Sequence, residues 1–142
     1  MKNKITAPTT TDQIKRTWHL IDANEKILGR ISTEIAKLLM GKSKPYFSKN
    51  LDCGDYVVVV NAKEVKVTGN KEEQKNYYRH SGYPGGFRKE TLAELRKDHP
   101  ERVIQHAVKG MLPKNKLQAE MLKRLRVYSD NNHPYAEKFT TK

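Results

Sequence analysis

The run of apolar residues at Tyr56–Val60 (YVVVV) constrains the fold more than any other feature of the sequence. A continuous, mostly β-branched run predicts a strand covered on both faces, as is typical of a parallel sheet. Upstream, residues 18–23 alternate between two faces, as in a short strand. Between the two strands, apolar residues recur at helical spacing over 27–39, and Gly41 follows as a helix-ending residue. This order predicts a βαβ unit and an α/β fold.

The second half of the sequence predicts further strands and a glycine-rich loop. A strand is expected at Asn76–His80 and a short one at 126–130, whereas 61–69 is ambiguous between a helical turn and an edge strand. Residues 81–87 (SGYPGGF) hold three glycines and a proline, which predicts a loop.

Two helix starts are predicted from capping patterns. Thr91 and Glu94 have the capping-box spacing ahead of an apolar pair. Asp98 and Glu101 repeat that spacing, and Pro100 suits the first helical position of the helix that follows.

The chain is strongly basic, with 28 Lys and Arg against 16 Asp and Glu and a formal net charge of +12. The excess lies in residues 1–50 and 101–142, whereas the middle third is nearly balanced. A field of that sign attracts nucleic acid or an anionic membrane. The 142 residues suit a single domain. We expect an extended basic arm at 1–16 and one α/β domain with a short C-terminal tail at 17–142.

Membrane and secretory roles are not supported by the sequence. The longest apolar run, Tyr56–Val60, is far shorter than the roughly 20 residues that a spanning helix needs. Residues 1–16 lack the apolar stretch of a signal peptide. The single cysteine, Cys53, excludes an internal disulfide and fits a reducing compartment, so a cytoplasmic location is expected.

The most basic segment is 106–128, in which six Lys or Arg from Lys109 onward accompany one acid, Glu120. Leucines and a methionine recur in it at helical spacing, and Pro113 is expected to begin a helix that ends near Arg124. A solvated amphipathic helix is one interpretation. The other is a polyanion-binding element, which the scarcity of acids to pair with the bases favours.

The glycine-rich loop also has two interpretations. It is either a plain turn between a strand and the helix that starts at Thr91, or a backbone able to lie close to a sugar-phosphate chain. In the second case Tyr83 stacks on a nucleobase, and the basic side chains around the loop contact phosphates. The loop matches no nucleotide-binding motif. Basic residues are also interleaved with aromatic ones at Lys42 and Lys44, beside Tyr46 and Phe47.

The sequence shows no coherent catalytic set. Its five histidines are scattered, without metal-ligand spacing to another His, Cys or Asp, and Cys53 is interpreted as a buried structural residue. We therefore expect no enzyme activity, no cofactor, no metal and no small-molecule substrate.

Four segments together resemble a known family. They are WHLIDANEKILGRISTEIAKLLMGK (18–42), YVVVVNAKEVKVTG (56–69), YYRHSGYPGGFR (77–88) and HAVKGMLPKNKLQAEMLKRLRVYSDNNHPY (106–135). In this order they resemble the L13 family of large-subunit ribosomal proteins in its bacterial form. The resemblance implies a three-layer α/β/α fold around a mostly parallel, roughly four-stranded sheet. It also implies a structural role: binding large-subunit rRNA early in assembly, beside neighbouring large-subunit proteins.

Pattern and resemblance together predict one set of RNA-binding residues. The family's GYPGG loop falls on 82–86 and its KGMLPKN element on 109–115. The predicted set is Arg79, His80, Gly82, Tyr83, Gly85, Gly86, Arg88, Lys109, Gly110, Met111, Pro113, Lys114, Asn115, Lys116, Lys123, Arg124, Arg126, Lys42 and Lys44.

Two other classes of function remain open from the sequence. Parallel α/β sheets often bind ligands at the carboxyl ends of their strands, so an enzyme acting on nucleotides or RNA is one alternative. The net charge alone also suits an architectural protein that binds DNA.

Overall fold

The computed structural model describes residues 10–140. Five strands and six helices follow one another along this part of the chain, together with short 3₁₀ turns at Thr11–Gln13 and Ala62–Glu64. In chain order they are β1 (Trp18–Asp22), α1 (Leu28–Met40), β2 (Tyr56–Val60), α2 (Lys71–Gln74), β3 (Asn76–His80), β4 (Phe87–Thr91), α3 (Leu92–Asp98), α4 (Pro100–Met111), α5 (Leu117–Lys123), β5 (Leu125–Val127) and α6 (Ala136–Thr140). Residues 1–9 of the predicted arm lie outside the described range.

A parallel sheet with the strand order β1-β2-β5 forms the centre of the fold. β1 pairs with β2 from Trp18 opposite Tyr56 onward, and α1 connects the two strands. This confirms the predicted βαβ unit. β2 is the middle strand, and Val57, Val58 and Val59 are fully buried, as the continuous apolar run predicts.

The prediction of a four-stranded parallel sheet is wrong, because β3 does not join it. β3 instead pairs with β4 in a separate antiparallel hairpin, in the register Arg79 opposite Arg88. A parallel neighbour needs a long crossover, whereas the short loop 81–86 returns the chain directly beside β3. Gly82 and Gly85 have φ values of 90° and 72°, which supply the left-handed backbone that this turn needs.

The two faces of the central sheet are covered differently. Val57 and Val59 pack in one core with apolar residues of α1, α4 and α5, among them Ile35 and Ile104. On the opposite face, Trp18 of β1 stacks on Tyr56 with ring centroids 4.4 Å apart. The C-terminal segment adds to that aromatic cluster, since Tyr135 stacks on Trp18 at 5.0 Å and α6 contacts β1.

Two predicted helix starts differ from the structure. Asp98 is the last residue of α3, so it cannot cap the next helix; α4 has His99 at its N-cap, without a side-chain hydrogen bond, and Pro100 at its first position. α5 begins at Leu117 and not at Pro113, because residues 113–116 form a turn that links it to α4. The predicted capping box of Thr91 and Glu94 is confirmed.

Candidate nucleic-acid interface

The β3–β4 hairpin presents the glycine-rich loop to solvent. Tyr83, at the tip, is 76% exposed. Two of the loop's backbone N–H groups are used within the hairpin: Gly82 donates to Nδ1 of His80 at 2.9 Å and Gly86 donates to the Tyr83 carbonyl at 2.9 Å. An added Cβ at Gly86 would lie 2.0 Å from Oγ of Ser81, so this glycine closes the turn. The loop is therefore a shaped projection, and those two N–H groups are not free to bind phosphate.

Two arginines face each other across the hairpin. Arg79 and Arg88 are directly opposed in the ladder, and both are exposed. Like charges in that position repel. Arg79 has a partial counterion in Glu90, with 3.5 Å between Nη2 and the carboxylate oxygen. The two arginines also line one cleft with Arg102 of α4, although three carboxylates, among them that of Glu90, line the same cleft. It is the exposed, directly opposed pair of guanidinium groups on the hairpin that suits an anionic partner.

Two basic loops that are far apart in sequence meet on the surface. The loop after α1, with Lys42 and Phe47, and the turn after α4, with Pro113 and Asn115, line one cavity of about 230 Å³. Lys49 lies on the same cavity. The structure thus brings together two groups of predicted site residues that are about 70 positions apart.

Hydrogen bonds hold the turn between α4 and α5 in place. Gln118 Nε2 donates to the carbonyl of Lys109 at 3.0 Å and to that of Leu112 at 3.4 Å, which satisfies carbonyl groups at the end of α4. The side chains of Lys114 and Lys116 on this turn remain exposed. Of the other predicted residues in this region, Lys109, Gly110, Met111, Lys123 and Arg126 are also exposed.

Arg124 is placed differently from the prediction, because it is only 7% exposed. Its guanidinium forms a salt bridge with Asp52 and donates to the Leu39 carbonyl at 3.2 Å. Gly54 makes room for this contact, since an added Cβ there would lie 1.7 Å from the Leu39 oxygen and 2.9 Å from Nη2 of Arg124. Arg124 is therefore occupied inside the protein, and its predicted contact with RNA phosphate is corrected to a structural role.

Lys44 is also turned inward. Its Nζ lies 2.5 Å from Oδ1 of Asp55 and 2.6 Å from the Lys15 carbonyl. Burial alone would raise the pKa of Asp55, but hydrogen bonds from Lys44, from the Thr17 N–H and from His19 outweigh it and lower that pKa. Lys44 therefore fixes its loop to the start of β1 and is not a free base.

Glu120, the one acid among the bases of this segment, pairs with Lys123, with 2.8 Å between Nζ and the carboxylate oxygen. Both side chains are exposed, so this pair is weak and does not withdraw Lys123 from the surface.

The pKa of His106 reports the charge of this surface. Desolvation lowers it first, and the nearby charges of Lys109, Arg102 and Lys75 lower it further. His106 also contacts Tyr77 of the hairpin, with ring centroids 5.3 Å apart. Positive charge from α4 and from the segment before β3 thus meets at one place between the helix and the hairpin.

Sequence reasoning missed part of this surface. Tyr78 and Phe87 are 63% and 60% exposed on the hairpin, and Arg102 lies beside Arg79 and Arg88. The sequence signal for the exposed ring of Tyr78 is the alternation of side chains along β3. This alternation places Tyr77 and Tyr78 on opposite faces of the hairpin once β4 is known to pair with β3.

Within residues 10–140, no group of three or more His, Cys, Asp or Glu side chains is arranged to hold a metal ion. In that same range no helix is long and apolar enough to cross a membrane.

Fold and surface together define a class: a small α/β protein with a compact core and several exposed basic loops. The chain belongs to the ribosomal protein L13 family, whose sequence model matches residues 16–134. Membership of a ribosomal protein family confirms the prediction that the chain is not an enzyme, and the nucleotide-processing alternative is set aside.

Curated relatives are similar over most of their length. The large ribosomal subunit protein uL13 of Dehalococcoides mccartyi is 61% identical over 123 residues, which cover 87% of this chain and 86% of the relative. The protein of the same name from Nitratiruptor is 53% identical over 132 residues, covering 93% and 94%. That from Chromobacterium violaceum is 52% identical over 124 residues, covering 87% of each.

Proposed function

We propose that this protein is a structural constituent of the large ribosomal subunit, which binds large-subunit rRNA and supports early subunit assembly. The observation that carries the proposal is the convergence of the Lys42 loop and the 113–116 turn on one cavity. Isolated surface lysines keep a protein soluble, but this largely apolar cavity joins Lys42 and Lys49 of one loop to Pro113 and Asn115 of a distant turn. The turn carries two further exposed lysines at 114 and 116, so the two segments together form a shaped basic site. The names of the relatives support the same conclusion.

In this mechanism the central sheet and the helices α1 and α4 act as a rigid platform. Lys109, Lys114 and Lys116 contact phosphates where RNA helices approach one another, with Lys42, Lys123 and Arg126 beside them. The hairpin forms a second arm, with Arg79 and Arg88 on phosphates and Tyr83 stacking on a base. Recognition is mainly of RNA shape, because the major groove of A-form RNA is too narrow for side chains to read. The remaining predicted contacts, those of His80, Gly82, Gly85, Gly86, Gly110, Met111, Pro113 and Asn115, set the shape of the two arms.

In this role the partners of the protein are large-subunit rRNA and neighbouring large-subunit proteins. The protein acts in the cytoplasm as part of the ribosome. One α/β domain at 17–142 binds the RNA in this proposal, and the basic segment 1–16 precedes it. At the end of that segment Arg16 contacts the domain, since its guanidinium donates to the Gly54 carbonyl at 2.7 Å.

The test is charge reversal on the 113–116 turn. The double variant Lys114→Glu and Lys116→Glu should stay folded, because both side chains are exposed, and should lose most of its affinity for a large-subunit rRNA transcript. The slope of log affinity against log salt should fall by about one for each lysine lost. Filter binding across a salt series measures both quantities.

The matched control is Lys26→Glu with Lys97→Glu, two exposed lysines outside the proposed surface that give the same change in net charge. Equal losses in both double variants would mean that only total charge matters, and would contradict the proposed site. A duplex DNA of the same length serves as competitor, and equal affinity for DNA and rRNA would favour the architectural DNA-binding alternative.

A further inference from the structure

The outward face of the hairpin carries two large aromatic side chains that folding leaves in solvent. Tyr78 of β3 is 63% exposed and Phe87 of β4 is 60% exposed. Their ring centroids are 5.8 Å apart and the ring planes differ by 20°. Burying an aromatic side chain is normally among the larger gains in folding, so two such rings side by side in solvent call for a partner.

The hairpin register determines which aromatic side chains point outward. Tyr77 faces the domain, where it is partly buried beside His106, so the next residue, Tyr78, faces away from it. In the ladder Tyr78 lies opposite Lys89, and His80 lies opposite Phe87. One face of the hairpin therefore combines two rings with a lysine and a histidine.

The charge around the rings indicates the kind of partner. Between residues 76 and 91 the bases are Arg79, Arg88 and Lys89, and the one acid in the sequence is Glu90, which lies near Arg79. An apolar protein surface would cover the rings and leave these bases uncompensated. A polyanion that carries flat apolar groups can cover the rings and also compensate the basic side chains. Unpaired RNA has this combination, because its nucleobases are free to stack while its phosphates contact the basic side chains of the protein.

We propose that Tyr78 and Phe87 form a stacking platform for unpaired bases of RNA, distinct from the tip residue Tyr83 and from the 113–116 turn. The platform rests on the proposed function, and it adds that the hairpin selects unpaired segments over continuous duplex. The two rings lie nearly parallel, so adjacent bases of one strand can stack on or beside them. Lys89 lies on the same face as the rings and is positioned to meet the phosphates of that strand, whereas Arg79 and Arg88 lie on the other face of the hairpin.

The experiment compares two RNAs with equal numbers of phosphates: a fully paired duplex, and the same stem with a central loop of unpaired adenosines. The double variant Tyr78→Leu and Phe87→Leu keeps two apolar side chains at these diagonally neighbouring positions and removes the aromatic faces. Its affinity for the looped RNA should fall at least about tenfold, and its affinity for the duplex should not change. The salt slope should be unchanged for both RNAs, since no phosphate contact is removed.

Two controls separate stacking from charge and from loss of structure. The exchanged variant Tyr78→Phe with Phe87→Tyr keeps both rings and should bind both RNAs as the original protein does. The variant Arg79→Gln with Arg88→Gln should weaken binding to both RNAs and reduce the salt slope. Hydrogen exchange of the β3 and β4 amides should be the same in the leucine variant and the original, which shows that the hairpin persists.

Equal losses on both RNAs, or no loss on either, would overturn the platform. A second result would also overturn it: a leucine variant that binds both RNAs normally but forms large subunits that lack a neighbouring protein. The two rings would then contact protein and not RNA. If the original protein binds neither RNA nor the rRNA transcript, the proposed function fails, and that outcome is distinct from a failure of the platform alone.

Discussion

The guanidinium of Arg124 joins three separate parts of the chain. Arg124 is the C-cap residue of α5, and its side chain pairs with Asp52 in the loop before β2 and donates to the carbonyl of Leu39 near the end of α1. Asp52 also receives a contact from Arg16, at 3.4 Å. Because the basic loop with Lys42 begins just after α1, this ion pair determines where that loop can lie. Arg124 therefore supports the candidate surface from beneath it.

Replacing Arg124 by leucine should destabilise the isolated protein by about 3 kcal/mol, because it leaves the partly buried Asp52 with only the longer contact from Arg16. Urea unfolding in the absence of RNA measures the change. The control is Arg126→Leu, two residues along, whose side chain is exposed and whose loss should change the free energy of unfolding by less than about 0.5 kcal/mol. Equal effects of the two changes would show that the ion pair does not stabilise the fold.

At the scale of elements, the predictions that hold are those with a strong periodic signal. The buried strand β2 and the helix α1, closed by Gly41 at φ 74°, follow directly from apolar patterning and a glycine stop. β4 was not predicted, because its sequence, FRKET, is charged and lacks an apolar face. Its strand conformation comes from pairing with β3, which is a tertiary contact that no local pattern encodes.

The candidate site was predictable to the same extent. Basic residues are visible in the sequence, so Lys42, Lys109 and Lys114 were identified, and all three are exposed. The sequence does not show which bases have an acid nearby in space. Arg124 and Lys44 were misassigned for that reason. Arg124 meets Asp52, and Lys44 meets Asp55, only after the chain has folded.

The capping box at the start of α3 should contribute measurable stability. The Thr91 hydroxyl accepts from the Glu94 N–H at 3.3 Å, and Glu94 accepts from the Thr91 N–H at 2.8 Å. Thr91→Ala should therefore cost about 1 kcal/mol in thermal unfolding. Asp98→Ala is the control, because Asp98 ends α3 without capping α4 and its loss should have little effect. A larger effect at Asp98 would restore the capping role that the sequence suggested.

At the scale of the whole molecule, the net charge of +12 opposes the stabilisation that the small apolar core provides. Mutual repulsion among exposed bases raises the free energy of the folded state, and dissolved salt screens it. The surface that we propose for RNA is therefore also a source of instability in the free protein. A bound polyanion would remove that repulsion.

We expect the midpoint of thermal unfolding to rise when sodium chloride is increased from low to moderate concentration. The variant Lys26→Glu with Lys97→Glu lowers the charge by two at each site, from +12 to +8, so its midpoint should rise less over the same salt range. Differential scanning calorimetry without RNA measures both. A midpoint that falls with salt would mean that attractive ion pairs outweigh the repulsion.

The central position of β2 has a consequence for the order in which the fold can be completed. β2 ends at residue 60, but one of its two partners, β5, starts only at residue 125. A growing chain can form β1, α1 and β2 early, yet it leaves one edge of its most apolar strand without a partner until almost the whole chain has been synthesised. Over that interval the exposed edge is open to mispairing with other chains. Prompt capture of the finished chain by its partner would shorten this vulnerable period.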